Sequence, residues 1–135
     1  MIASGYEEID HTADIAMRVW GDDFHVLLSH SAKGMYDLMG IRLESESHIE
    51  NTFQIECGEK ETVLVDFLSE VLYLAEDRGQ GYQSFDFSRE DVMLVVHASG
   101  HKVESIRRNI KAVTFHDLVI KKTDRGLETT ITFDV

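Results

Sequence analysis

Asp10-His11-Thr12-Ala13-Asp14 packs two carboxylates and an imidazole into five residues, between the acidic lead-in Glu7-Glu8 and an apolar alternation. A short turn feeding a strand would present them as a group. The far end of the chain adds the Asp134 side chain and the main-chain carboxylate of Val135. If the fold joins both ends, hard oxygen ligands cluster there, a donor set suited to Ca²⁺ or Mg²⁺. The same residues have ordinary uses as well. An aspartate ahead of a strand commonly forms a turn, and a penultimate aspartate is commonly solvated at a frayed end. Spacing alone leaves both readings open.

Other chemistry-bearing residues define rival readings. Asp10, His11 and Asp14 could hold a catalytic metal and a base while His116-Asp117 orients a water, which would make a small metal-dependent hydrolase. Against it, the chain has no nucleophile elbow, phosphate loop or His-rich metal motif. Ser29-His30-Ser31 falls on a helix, where it reads as solvated surface. His97 and His101 are four apart in a predicted strand and turn, where they diverge, so a structural role is expected. Trp20 and Tyr36 read as packing residues. Gly79-Gln80-Gly81 follows a helix and lacks a third glycine, so it reads as a helix stop and flexible turn.

The elements that must position these groups follow from hydrophobic periodicity. Ile15, Met17 and Val19 alternate with Ala16, Arg18 and Trp20, a strand that Gly21-Asp22 breaks. Asp22 or Asp23 then caps a helix in which Phe24, Leu27, Leu28, Ala32, Met35 and Met39 share a stripe, with Gly40 as its C-cap. Residues 41–51 read as a polar connection or a poorly defined edge segment, and Phe53, Ile55 and Cys57 as a strand. A second helix begins near Glu61-Thr62 and buries Leu64, Phe67, Leu68, Val71, Leu72 and Ala75. The Val92 to Ala98 strand is apolar on both faces, hence central, with Gly100 as its end and 101–109 as a basic loop. From Lys111 to Ile120 the apolar phase slips by one, the mark of a β-bulge at His116-Asp117. Thr123 to Gly126 is a hairpin turn, and Leu127 to Val135 the last strand, with Asp134 off its apolar face. The expected fold is α+β: a single-domain mixed or antiparallel β-sandwich of about six or seven strands with two amphipathic helices, over residues 1–135.

Composition narrows the function. Thirteen Lys and Arg against 25 Asp and Glu leave a formal charge of −12. Basic residues gather only at Arg107-Arg108-Lys111 and Lys121-Lys122. Direct high-affinity nucleic-acid binding is therefore disfavoured, and a protein partner or a cation favoured. Cys57 stands alone, which excludes an intrachain disulfide and a cysteine-based zinc site. No signal peptide or membrane segment is expected: the start is acidic, and apolar runs such as Val92 to Val96 fall far short of the ~20 residues of a membrane helix. The reading is a cytoplasmic protein.

With Asp10-His11-Thr12-Ala13-Asp14-Ile15, the Leu64 to Leu74 helix, Lys111-Ala112-Val113-Thr114-Phe115-His116 and the terminal Asp134-Val135 in place, the chain resembles the archease family over nearly its whole length. The motifs stand in the family's order at start, middle and end. The resemblance implies a protein cofactor, not an enzyme, that activates the RtcB-type tRNA-splicing RNA ligase by promoting its guanylylation and multiple turnover. It also implies a divalent-metal site, calcium in the family, formed here by Asp14, Asp134 and Val135. Two departures stand out. Ala16 follows Asp14-Ile15 where the family commonly has Gly, and His101 to Arg108 replaces a Gly-Glu and further acidic residues, which bears on partner specificity. A chaperone or adaptor for RNA-modifying enzymes, without a metal, is the remaining alternative.

Overall fold

A computed structural model describes residues 5–9 and 14–135. Asp10 to Ala13, on which part of the sequence motif falls, lie outside the described residues. Among the described residues, nine strands and two helices follow in the order β1 (Tyr6–Ile9), β2 (Ile15–Gly21), α1 (Phe24–Met39), β3 (Arg42–Leu43), β4 (Ile49–Glu56), α2 (Lys60–Arg78), β5 (Gln80–Glu90), β6 (Met93–Ser105), β7 (Ala112–Thr114), β8 (Lys121–Thr123) and β9 (Gly126–Asp134). They form two antiparallel sheets. In the first, β9 is central, flanked by β2 on one side and by β7 and β8 on the other, with β1 beyond β2. In the second, β6 is central, with β3 and β4 on one side and β5 on the other. The α+β class expected from the sequence is borne out, and the strands exceed the expected six or seven through short pieces such as β1, β3 and β8.

Both helices touch both sheets. α1 packs on β1, β2 and β9 of the first and on β5 of the second; α2 packs on β4 and β5 of the second and on β7 of the first. The apolar stripes read from the sequence become the inner faces: Leu27, Leu28, Ala32, Met35 and Met39 of α1 and Leu64, Phe67, Leu68 and Val71 of α2 are fully buried. Phe67 sits among the rings of Phe53, Phe85 and Phe87, at centroid distances of 6.2, 5.3 and 5.6 Å. Such offset and edge contacts add to the area they bury. Asp23 caps α1 as expected, its Oδ1 accepting the Val26 N–H at 2.9 Å. Gly40 and Gly79 end the two helices in the left-handed conformation.

Several expected boundaries move. The 41–51 stretch contains β3 and the start of β4, so the Phe53 strand begins at Ile49. Gly79 stops α2 as predicted, but Gln80 enters β5 directly and no flexible turn intervenes. Gly100 does not end its strand: β6 runs on to Ser105, and the expected loop 101–109 is strand for its first half. A Cβ at Gly100 would lie 2.0 Å from the Gly81 carbonyl oxygen, beside the register shift at Tyr82 and Ser84. Glycine is there for a close approach between strands, a use that in sequence looks the same as a stop. The bulge expected at His116-Asp117 is instead a break between β7 and β8. Ala112 faces Asp134 and Lys121 faces Glu128, nine residues on along one strand and six along the other. Three residues thus loop out, around a turn in which Asp117 has φ 51°. Phe115, expected on the apolar face, is 55% exposed in that loop.

Candidate functional site

β2 and β9 bring the two ends of the chain together. Their last pair is Ile15 with Phe133. Asp14 is one residue before Ile15 and Asp134 one after Phe133, so the two carboxylates stand opposite each other on neighbouring strands. Phe133 is fully buried, and alternation therefore turns Asp134 to the outer face of the sheet, where it is exposed; Asp14 is half-buried. Cross-strand Cβ atoms at such positions are ~5 Å apart, and like charges held there repel. Among the described residues no Lys or Arg forms an ion pair with either carboxylate. Asp134 is fixed from its other side: its backbone pairs with Ala112 of β7, and its carbonyl accepts the Lys111 N–H at 2.7 Å. Val135 follows at the exposed rim, 37% accessible.

The candidate donors at this position are the side-chain carboxylates of Asp14 and Asp134, both hard oxygens. Among the described residues no three His, Cys, Asp or Glu side chains gather closely enough to hold a metal ion by themselves. A cation seated between Asp14 and Asp134 would take its third protein donor from the Val135 carboxylate and complete its shell with water or a partner's oxygens. That chemistry fits a hard divalent ion, which accepts six to eight oxygens in flexible geometry when it is Ca²⁺.

Among the described residues, the rival constellations do not assemble. His116 Nε2 lies 3.2 Å from Asp117 Oδ2, but both side chains are largely exposed in the loop after β7. Asp10 and His11 lie outside the described residues. Ser31 is not solvated as expected: it is fully buried and its hydroxyl donates to the Leu27 carbonyl at 2.7 Å, while His30 Nδ1–H donates to the Trp20 carbonyl at 2.6 Å. His97 and His101 share one face of β6 and do not diverge. Four strand residues still separate them by ~13 Å, too far for one ion. Each has its own bond, His97 with the Thr52 hydroxyl at 2.9 Å and His101 with the Ser47 carbonyl.

Tyr36 packs as predicted, buried against β5, and its hydroxyl oxygen accepts the Tyr82 N–H at 3.0 Å. Burial pushes its phenol far above the ordinary range, and the Tyr82 N–H offsets part of that rise. Trp20 is half-buried beneath the Arg125 guanidinium, 4.0 Å from the ring centroid. Sequence reasoning missed the exposure of Phe115 and Val119 in the loop after β7, where the Val119 carbonyl accepts the Thr129 hydroxyl. Their signal was a phase slip that reads equally well as a bulge.

Two antiparallel sheets packed on two helices, with Asp14 and Asp134 flanking the last pair of the β2–β9 ladder, define an α+β domain. The Archease protein family profile matches residues 6–135. Protein archease of Archaeoglobus fulgidus is 31% identical, over 96% of this chain and 98% of that protein, and protein archease of Methanopyrus kandleri is 30% identical, over 88% and 91%. The crystal structure of an archease from Thermotoga maritima, described as a possible chaperone, has a TM-score of 0.70 at 27% identity and covers 96% of both chains. The chain belongs to the archease family. No described helix is long and apolar enough to cross a membrane.

Proposed function

We propose that this chain is a protein cofactor of an RtcB-type RNA ligase, docking on it and promoting its guanylylation and repeated turnover. Family membership supports the reading, and the observation that carries it is the β2–β9 register, by which Asp14 and Asp134 face each other beside Val135. Asp14, Asp134 and the Val135 carboxylate hold a divalent cation, calcium in the first instance. When bound, that cation supplies local positive charge and relieves the repulsion between the facing carboxylates. Asp134 is set by its place on the paired strand β9, and Asp14 by its position directly ahead of β2. Exposed Phe115 and Val119, in the loop after β7, offer apolar contact area to the partner further along β9. The −12 charge of the chain makes the ligase, not its RNA, the surface it meets.

The experiment is multiple-turnover RNA joining by the RtcB-type ligase of the same organism, with and without substoichiometric amounts of this protein. Faster joining that is lost with Asp14→Ala, in a variant that melts no lower than the wild type in chelator, is the expected outcome. A folded, fully active Asp14→Ala would overturn the role of the carboxylates and leave an adaptor without a metal. No effect of the wild type on joining would overturn the cofactor reading itself.

A further inference from the structure

Between α1 and β5 lies a cavity of about 600 Å³, within the range of small-ligand pockets, that shares no residue with the carboxylate end. Its apolar wall is built from Ile41, Leu43 and Phe85. Its polar groups come from one face of α1 and from the residue at the β5 register shift. Lys33, one turn on from Ser29, makes no ion pair among the described residues. Gln83 lies between Tyr82 and Ser84, where the β5–β6 pairing skips, so its amide borders the cavity instead of extending a ladder.

The remaining groups are polarised by bonds already described. His30 donates its Nδ1–H to the Trp20 carbonyl, so the neutral ring has Nε2 left as an acceptor. Tyr36 spends its oxygen on the Tyr82 N–H and keeps its own proton to donate. Asp37, the one carboxylate at the rim, has its oxygen engaged by the Tyr6 hydroxyl, which donates to it. One cation, several neutral donors and an acceptor therefore converge beside an aromatic and aliphatic wall. In a chain of net charge −12, a single lysine suits one acidic group; a polyphosphate would meet the field of the whole molecule.

We infer that the α1–β5 cavity is a binding site for a small planar aromatic molecule bearing a single acidic group, its ring on Phe85 and its anion on Lys33. Nucleoside monophosphates and aromatic carboxylates both have this chemistry. The full chain is titrated calorimetrically with AMP and with 2-naphthoate, and with their uncharged counterparts adenosine and 2-naphthalenemethanol. The expected result is saturable binding of at least one anion, tenfold or more tighter than its uncharged counterpart. Lys33→Met removes that preference, and Ser29→Trp, which fills the cavity, removes binding altogether. Which anion binds separates the nucleotide from the carboxylate. Absence of binding by both anions up to ~5 mM, where any useful affinity registers, overturns the inference. So does an anion preference that survives Lys33→Met, a test that holds even if Ser29→Trp perturbs the fold.

Discussion

At the scale of single residues, the side chains that matter are those whose polar atoms were committed by the fold. Tyr36 is the sharpest case, since the sequence marked it only as a packing residue, and nothing in its spacing told of the Tyr82 N–H it receives 46 positions away. Replacing it with Phe keeps the ring and leaves that buried N–H without an acceptor, at a cost of about 1–3 kcal/mol. The pH dependence follows from the raised phenol. Unfolded tyrosine ionises near pH ~10, whereas buried Tyr36 stays protonated well beyond that. The native state then binds more protons than the unfolded one, so the Tyr36 contribution is whole below pH ~10 and is lost as pH rises above it. Urea denaturation at pH 7 and near pH 11 should show the gap between wild type and Tyr36→Phe narrowing at the higher pH. A gap that stays constant would mean that the phenol is not shielded from ionisation. Asp14 and Asp134 were named from residue type, but their spacing fitted a turn and a frayed end equally well; the β2–β9 register that sets them at one end of the ladder is a property of pairing that neither segment's sequence contains.

At the scale of elements, hydrophobic period fixed where helices and strands exist and glycine misled on where they stop. Leu27 to Met39 and Leu64 to Ala75 declared their buried stripes, and both helix stops, Gly40 and Gly79, were read correctly because a left-handed residue follows the last periodic position. Gly100 failed the same rule because its role is contact with a neighbouring strand, a property of pairing that one strand's sequence does not contain. The β7–β8 break was hidden for a similar reason, since one slipped phase is compatible with one, or three, looped-out residues. The glycine assignment can be checked directly. Gly100→Ala sets a methyl 2.0 Å from the Gly81 oxygen and 2.7 Å from the Tyr82 Cα, so two backbones must separate. A loss of about 1–3 kcal/mol is expected by chemical denaturation, as for other overpacked sites. Gly58→Ala is the matched control: its Cβ would meet nothing within 4 Å, and restricting the unfolded chain should leave stability unchanged or raised by about 0.4–1 kcal/mol. Equal effects at the two positions would refute the close-approach account of Gly100.

At the scale of the whole molecule, the fold brings two aspartates 120 positions apart to one sheet end in a chain already at −12. Electrostatic self-repulsion disfavours that arrangement unless a cation accompanies it. A cation that binds only the folded chain stabilises it by mass action, by ~2.7 kcal/mol at a hundredfold excess over its dissociation constant, or roughly 5–10 °C in Tm for a domain of this size. Melting in calcium should therefore exceed melting in chelator by that order, with sodium chloride at matched ionic strength giving a smaller rise from screening alone. Appending a Gly-Ser extension converts the Val135 carboxylate into an amide and removes one charged donor without touching the core, since Val135 lies at the exposed rim. The extended chain should lose most of the calcium-specific shift while melting at or slightly above the wild-type temperature in chelator, where one repelling charge is gone, and Asp134→Asn should behave likewise. A full calcium shift in the extended chain would take Val135 out of the ligand set and leave the facing aspartates to hold the ion with oxygens from elsewhere.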